Sequence, residues 1–99
     1  MSCIFIKKLM FSYIDLHRVL FRNMIFENYI FYKANLRGAF FINCSFIGSN
    51  MITINIADSL FKKCLFEKNQ IRYPSLSNVN FINNKNIDNH LVEADEFYI

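Results

Sequence analysis

From Phe11 to Phe81 every fifth residue is large and apolar: Phe11, Leu16, Phe21, Phe26, Phe31, Leu36, Phe41, Phe46, Met51, Ile56, Phe61, Phe66, Ile71, Leu76 and Phe81. A helix repeats its face every 3.6 residues and a strand every two, so neither element alone carries this spacing. A sustained foreign period predicts a repeat architecture. Take the large residue as position i. Position i−2 shares its face in a short extended segment, and reads Ala34, Ala39, Cys44, Ser49, Ser59, Cys64 and Val79. Large at i with small at i−2 suits a narrow enclosed core. Positions i−1, i+1 and i+2 carry Asn, Lys, Arg, Asp, Glu and Gly, as outward and turn residues should.

Four five-residue sides would close a coil of twenty residues, so residues twenty apart should match. One column reads Phe21, Phe41, Phe61, Phe81, and a second Ile6, Phe26, Phe46, Phe66. The others read Leu16, Leu36, Ile56, Leu76 and Phe11, Phe31, Met51, Ile71. Cys44 lies twenty before Cys64, and Asp15, Asn35, Asn55 and Ser75 form a polar ladder at i−1. Like stacked on like is how a solenoid grows, each coil touching only its neighbours.

The segments Ala34-Asn35-Leu36-Arg37-Gly38, Cys44-Ser45-Phe46-Ile47-Gly48 and Ser49-Asn50-Met51-Ile52-Thr53 resemble the pentapeptide repeat family. Its motif is a small residue, then Asp or Asn, then Leu or Phe, then two variable residues. The resemblance runs over residues 4–83 and implies an all-β fold, a right-handed quadrilateral β-helix of about four coils. The chain departs from the motif where i−2 is large (Ile14, Met24, Tyr29, Ile54) and where i−1 is apolar (Leu20, Ile25, Ile30, Phe40, Leu60, Leu65). These departures predict early coils that are irregular or covered.

The frame divides the chain into three parts. Residues 1–10 read as an N-terminal cap or an irregular first coil, and residues 11–83 as the repeat β-helix. Gly38 and Gly48 fall at i+2, a corner where positive φ is convenient; Asn23, Asn28 and Asn43 occupy equivalent corners. Pro74, at i−2, lacks a backbone donor and predicts a bent or terminal coil. Asn86 stands where a large apolar residue belongs, and residues 83–89 are polar and Asn-rich, as in a linker. Residues 84–99 therefore read either as a polar tail or as a short capping or dimerising helix, with Asp88 at its N-cap and Leu91, Ala94 and Tyr98 on one face.

Charge is unevenly placed. Residues 1–81 hold ten Lys/Arg and four Asp/Glu (+6); residues 82–99 hold one Lys and four Asp/Glu (−3), which sums to the net +3. Family members that protect DNA gyrase from quinolones are thought to imitate acidic DNA, so a gyrase or topoisomerase modulator is the alternative function, disfavoured by a basic repeat region. His17, Arg18, Arg22 and Arg37 are expected near one corner, with Lys62 and Lys63 two coils along. Phosphate contacts need such groups, but no readout motif accompanies them, so nucleic acid is not the expected partner.

Catalytic and cofactor chemistry find no support. His17 and His90 lie in different regions and give no zinc spacing with the cysteines. No phosphate loop or nucleophile elbow is present. Asp15, Glu27, Asp58 and Glu67 read as outward and scattered, and a rod filled with Phe leaves no interior pocket. The chain is expected to be no enzyme, with no cofactor, metal or small-molecule substrate. Cys44 and Cys64 share an inward column where a disulfide is sterically allowed; small reduced core residues are the expectation. With no run of eighteen apolar residues and no leader-like start in MSCIFIKKLM, the expected location is cytoplasmic, or secreted as an effector.

What the frame leaves unexplained is an outward apolar set. Leu20, Phe40 and Leu60 stack at twenty-residue spacing, with Ile42 and Ile82 two residues further along. A patch of this kind points to a partner. Leu20, Phe40, Leu60, Ile42, Arg18, Arg22 and Arg37 are the expected interaction surface. The function expected is a non-catalytic bacterial scaffold that binds a protein partner or itself, as part of an effector or of a longer repeat protein.

Overall fold

The computed structural model describes residues 4–7 and 10–94, with side chains described from residue 10 onward. Among these residues every regular element is a strand. In chain order they are β1 (Ile4–Lys7), β2 (Leu20–Arg22), β3 (Met24–Glu27), β4 (Phe40–Ile42), β5 (Ser45–Ile47) and β6 (Asn50–Ile52). There follow β7 (Leu60–Lys62), β8 (Leu65–Glu67), β9 (Gln70–Arg72), β10 (Asn80–Ile82), β11 (Lys85–Ile87) and β12 (His90–Val92).

All pairing is parallel and in a register of twenty. One sheet runs β1-β3-β5-β8-β11, a second β10-β7-β4-β2 and a third β12-β9-β6. The fourth side is closed by single bridges, Asp15 to Asn35, Asn35 to Asn55 and Asn55 to Ser75. The chain is thus a quadrilateral β-helix, each side five residues long. Residues at i and i−2 point inward: Phe41, Phe46, Phe61, Phe66, Met51, Ile56 and Ile71 are fully buried, as are Ala39, Cys44 and Ser49.

The fivefold spacing comes from the corners. Residue i+2 has positive φ at every fifth position from Tyr13 to Glu93, including Arg18, Lys33, Thr53 and Lys63 as well as Gly38 and Gly48. A left-handed residue every five turns the chain through one corner per side, whatever side chain stands there.

Inside, aromatic rings stack coil on coil. Phe41 lies 4.6 Å from Phe61 at 2° between planes, and Phe46 5.1 Å from Phe66 at 5°. Neighbouring columns meet edge to face, as between Phe41 and Phe46 at 5.3 Å. Each contact adds to simple burial because the ring edge carries positive charge and the face negative.

Four expectations are corrected. The frame does not end at Phe81: Asn86 pairs with Phe66 in β11, and Leu91 with Ile71 in β12. In place of a linker over 83–89 and a helix from Asp88, the chain makes a further coil up to Ala94; residues 95–99, with Tyr98, lie outside the described residues. Asn86 is tolerated because it is only half-buried at the last coil. Meanwhile Asn84 and Asn89 at i−2 tie this coil down. Asn84 Nδ2 donates to the Phe61 carbonyl at 2.9 Å, and Asn89 Nδ2 to the Phe66 carbonyl at 2.9 Å.

The early coils are regular. β1 pairs with β3 in the common register, and the large i−2 residues Tyr29 and Ile54 are fully buried rather than expelled. Pro74 bends nothing. At its equivalents, Ile14 and Ala34 donate only within their own corner, to the carbonyls of Phe11 at 3.2 Å and Phe31 at 2.9 Å. Proline there removes a local turn bond, and Ser75 still donates to the Ile54 carbonyl at 2.9 Å. Nor are the outward carboxylates scattered: Glu27, Ile47 and Glu67 stand in one register column.

Candidate interaction surface

The sheet β2-β4-β7-β10 turns two columns outward. At i−1 stand Leu20, Phe40, Leu60 and Asn80; at i+1 stand Arg22, Ile42, Lys62 and Ile82. Parallel strands lie about 4.8 Å apart, so Leu20, Phe40 and Leu60 form a continuous ridge. Leu20 is 50 % exposed, Phe40 49 % and Ile82 42 %, while Ile42 and Leu60 are half-buried against their neighbours. Arg22, Lys62 and the corner residue Lys63 are exposed on this side, and no Asp or Glu stands among residues 19–23, 39–43, 59–63 or 79–83. The face is therefore apolar along one edge over its first three coils, and along the other edge cations alternate with isoleucines.

The remaining basic residues named from the sequence separate from this face. Arg18 is the corner before it, and Arg37 lies on the adjoining bridged side. Together with Asp15, His17, Asn35, Gly38 and Asp58 they line a shallow groove of about 640 Å³. Gly38 leaves room for Arg18, whose Cγ lies 3.3 Å from the point a Cβ would occupy. The groove is mixed in charge. Arg37 Nε is 3.0 Å from Asp58 Oδ2, and His17 Nδ1 is 2.7 Å from Asp15 Oδ1. Asp15 also accepts from Asn35 Nδ2 at 3.2 Å. The hydrogen bond from the His17 side chain, then that from its amide, hold the Asp15 carboxyl below the usual range. The Arg37–Asp58 pair is exposed to solvent, where an ion pair is energetically weak. The basic corner expected from His17, Arg18, Arg22 and Arg37 is thus divided: Arg22 stands on the sheet, Arg37 is paired with Asp58, and the His17 ring is hydrogen-bonded to Asp15.

Cys44 and Cys64 are free and buried in adjacent coils. Each thiol donates to a carbonyl of the preceding coil, Cys44 Sγ to Phe21 at 3.5 Å and Cys64 Sγ to Phe41 at 3.3 Å. The adjacent Cys44 sulfur and burial push the Cys64 thiol well above the ordinary cysteine range, which suits an inert core residue. Among the described residues no group of His, Cys, Asp and Glu has the arrangement of a metal site, and no helix is long and apolar enough to cross a membrane.

The sequence pattern of the pentapeptide repeat region matches residues 14–91. Comparison with curated proteins gives no match. Among solved structures, the chain is similar to a pentapeptide repeat protein of the Arabidopsis thaliana thylakoid lumen, at 18% identity and a TM-score of 0.43. That alignment covers 84% of this chain and 60% of the Arabidopsis protein, so the chain spans less than two thirds of that relative. It is also similar to the pentapeptide repeat protein Rfr23 of the cyanobacterium Cyanothece 51142, at 9% identity and a TM-score of 0.39, over 93% of this chain and 86% of that one. The match over residues 14–91, joined to a twenty-residue parallel register with a turned corner every five residues, fixes the family: the chain belongs to the pentapeptide repeat proteins.

Proposed function

We propose that the chain is a non-catalytic scaffold that binds a protein partner through the face of β2, β4, β7 and β10. The observation that carries this reading is the ridge of Leu20, Phe40 and Leu60, with two of its three side chains about half exposed. A ridge held on a rigid sheet loses little entropy on docking, because its backbone is already fixed. Apolar surface grouped in this way marks a binding site more often than isolated exposed residues do. Arg22, Lys62 and Lys63 supply a cationic rim, which directs the partner's orientation. The stacked free thiols Cys44 and Cys64 suit a reducing compartment such as the cytoplasm.

The test is photo-crosslinking from Ile42 in the cell that makes the protein. It compares the parent chain with Leu20→Ser/Phe40→Ser/Leu60→Ser. A defined crosslinked protein that disappears with the triple variant, at equal folded level, supports the reading. An unchanged crosslinking pattern overturns it.

A further inference from the structure

Two adjoining sides of the rod carry matched outward patterns. On the β2-β4-β7-β10 side the i+1 column reads Arg22, Ile42, Lys62, Ile82. On the next side, β3-β5-β8-β11, the same column reads Glu27, Ile47, Glu67, Ile87. Both alternate charge and isoleucine coil by coil, cation on one side and carboxylate on the other. The i−1 columns read Leu20, Phe40, Leu60 and Ile25, Ser45, Leu65 over the same three coils.

We propose that a second copy of the chain is an occupant of the Leu20–Phe40–Leu60 face, docking its own Ile25–Ile47–Leu65 face there with the rods antiparallel. This docking rests on the interaction surface proposed above and gives that surface a partner. Two faces of the same-handed coil, seen from outside, have i−1 and i+1 on the same hands. Turning one face over across the rod keeps i+1 opposite i+1 and reverses the coil order. With the second coils aligned, Arg22 meets Glu67, Lys62 meets Glu27 and Ile42 meets Ile47. In the other column Leu20 meets Leu65, Leu60 meets Ile25, and Phe40 stands over the small Ser45.

Other arrangements lose this match. With the rods parallel, i+1 opposes i−1, so Arg22 faces Ile25 and Glu27 faces Leu20. In the same register, if the first face paired with itself, Arg22 would oppose Lys62; if the second did, Glu27 would oppose Glu67. Like charges across an interface suppress such pairings. The contact is heterologous, using two different faces of each copy, and antiparallel copies joined through adjoining sides do not close into a ring. It therefore propagates as an open chain of copies. Three short coils bury less than ~1,200 Å² in total, the size of weak, reversible interfaces. Part of the attraction is between exposed charges and is screened by salt.

The test uses the full chain in sedimentation velocity across concentration, at low and high salt. The parent chain should associate reversibly, more weakly at high salt. Arg22→Glu/Lys62→Glu and Glu27→Lys/Glu67→Lys should each weaken self-association by about tenfold or more. Mixed in equal amounts they should associate again, because the reversed face of each then meets an oppositely charged face of the other. The neutral variants Arg22→Gln/Lys62→Gln and Glu27→Gln/Glu67→Gln serve if a reversed chain does not fold, and each should weaken association. A parent chain that stays monomeric throughout, or a mixture that associates no better than its components, overturns the proposal. If the crosslink at Ile42 is still lost with the triple serine variant, the face keeps its role with a different protein.

Discussion

Asn69 is joined to Ser49, one coil earlier, through the Ser49 amide, which donates to Asn69 Oδ1 at 2.8 Å. Both residues are buried. Asn69 Nδ2 meanwhile donates to the Phe46 carbonyl at 2.9 Å. Ser49 does the same for the coil before: its Oγ accepts the Tyr29 amide at 3.1 Å and donates to the Phe26 carbonyl at 3.2 Å. Asn89 and Asn84 repeat the pair of bonds, accepting the amides of Asn69 at 3.0 Å and Cys64 at 2.7 Å. At these corners one polar side chain closes the backbone of the coil beneath it.

Asn69→Ala should therefore orphan the buried Ser49 amide and take away one of two donors to the Phe46 carbonyl, which keeps the Glu67 amide through the β5-β8 ladder. Leaving one buried amide unpaired costs about 1–3 kcal/mol, a large share of the stability of a small domain. Asn69→Ser should recover part of the loss, since Ser49 makes the equivalent two bonds with a hydroxyl. Urea unfolding followed by circular dichroism reads this. An alanine variant as stable as the parent would remove the side chain from its proposed role.

The corners also explain what the sequence did and did not disclose. The apolar residue at i announced the coil length because a filled core tolerates little else, as the column Phe21, Phe41, Phe61, Phe81 shows. Position i−2 was legible only as small. The structure divides it in two: Val19, Ala39 and Val79 stand where the amide bonds locally, within its own turn, as Ala39 to Leu36 at 3.1 Å. Asn69, Asn84 and Asn89 stand where a side chain must close the corner. Read in that light, Asn84 and Asn89 mark a continuing coil more strongly than Asn86 marks an end. The outward pattern was harder to see. Glu27 and Glu67 are forty residues apart in the chain, and their alternation with Ile47 and Ile87 emerges only when i+1 is followed down the stack.

Tyr29 offers a case where removing a polar atom should help. Its ring is buried among aromatic neighbours, stacked on Phe31 at 5.5 Å and edge-on to Phe26 at 5.0 Å. Its hydroxyl is buried and has no hydrogen-bond partner among the described residues, and burial raises its pKa. Tyr29→Phe keeps the ring and removes the orphan, so stability should rise by about 1 kcal/mol. For a domain of this size that is a melting increase of about 4–8 °C. A lower melting temperature would show that the hydroxyl is satisfied after all.

Cys64 gives the protein a pH dependence at the alkaline end. Its raised thiol pKa, caused by the adjacent Cys44 sulfur and by burial, means the folded chain holds a proton that the unfolded chain releases near the ordinary cysteine value of about 8.5. The associated stability is fully present below that value and is lost as pH rises above it. Urea midpoints measured from neutral to alkaline pH should fall, and Cys64→Ala, less stable at neutral pH, should show a flatter dependence. Equal slopes for the two chains would place the alkaline sensitivity elsewhere.

Thr53 is the corner residue least suited to its backbone. Its φ is +57, and a β-branched side chain is a genuine outlier in the left-handed region. The fold imposes the angle because the Thr53 amide is held by the Arg72 carbonyl at 2.7 Å, one bond in the corner ladder between coils. The side chain is exposed, so replacing it disturbs no packing. Thr53→Asn and Thr53→Gly should each stabilise the chain by about 1 kcal/mol, asparagine by tolerating the conformation and glycine by lacking a Cβ. Asn43 is the control: it sits at φ +54 but already suits the corner, and its side chain donates to Asn23 Oδ1 at 2.8 Å. Asn43→Gly should therefore gain nothing. Thermal melts of the three variants separate the alternatives, since a gain at Asn43 equal to that at Thr53 would mean that corner strain is not what the Thr53 substitutions relieve.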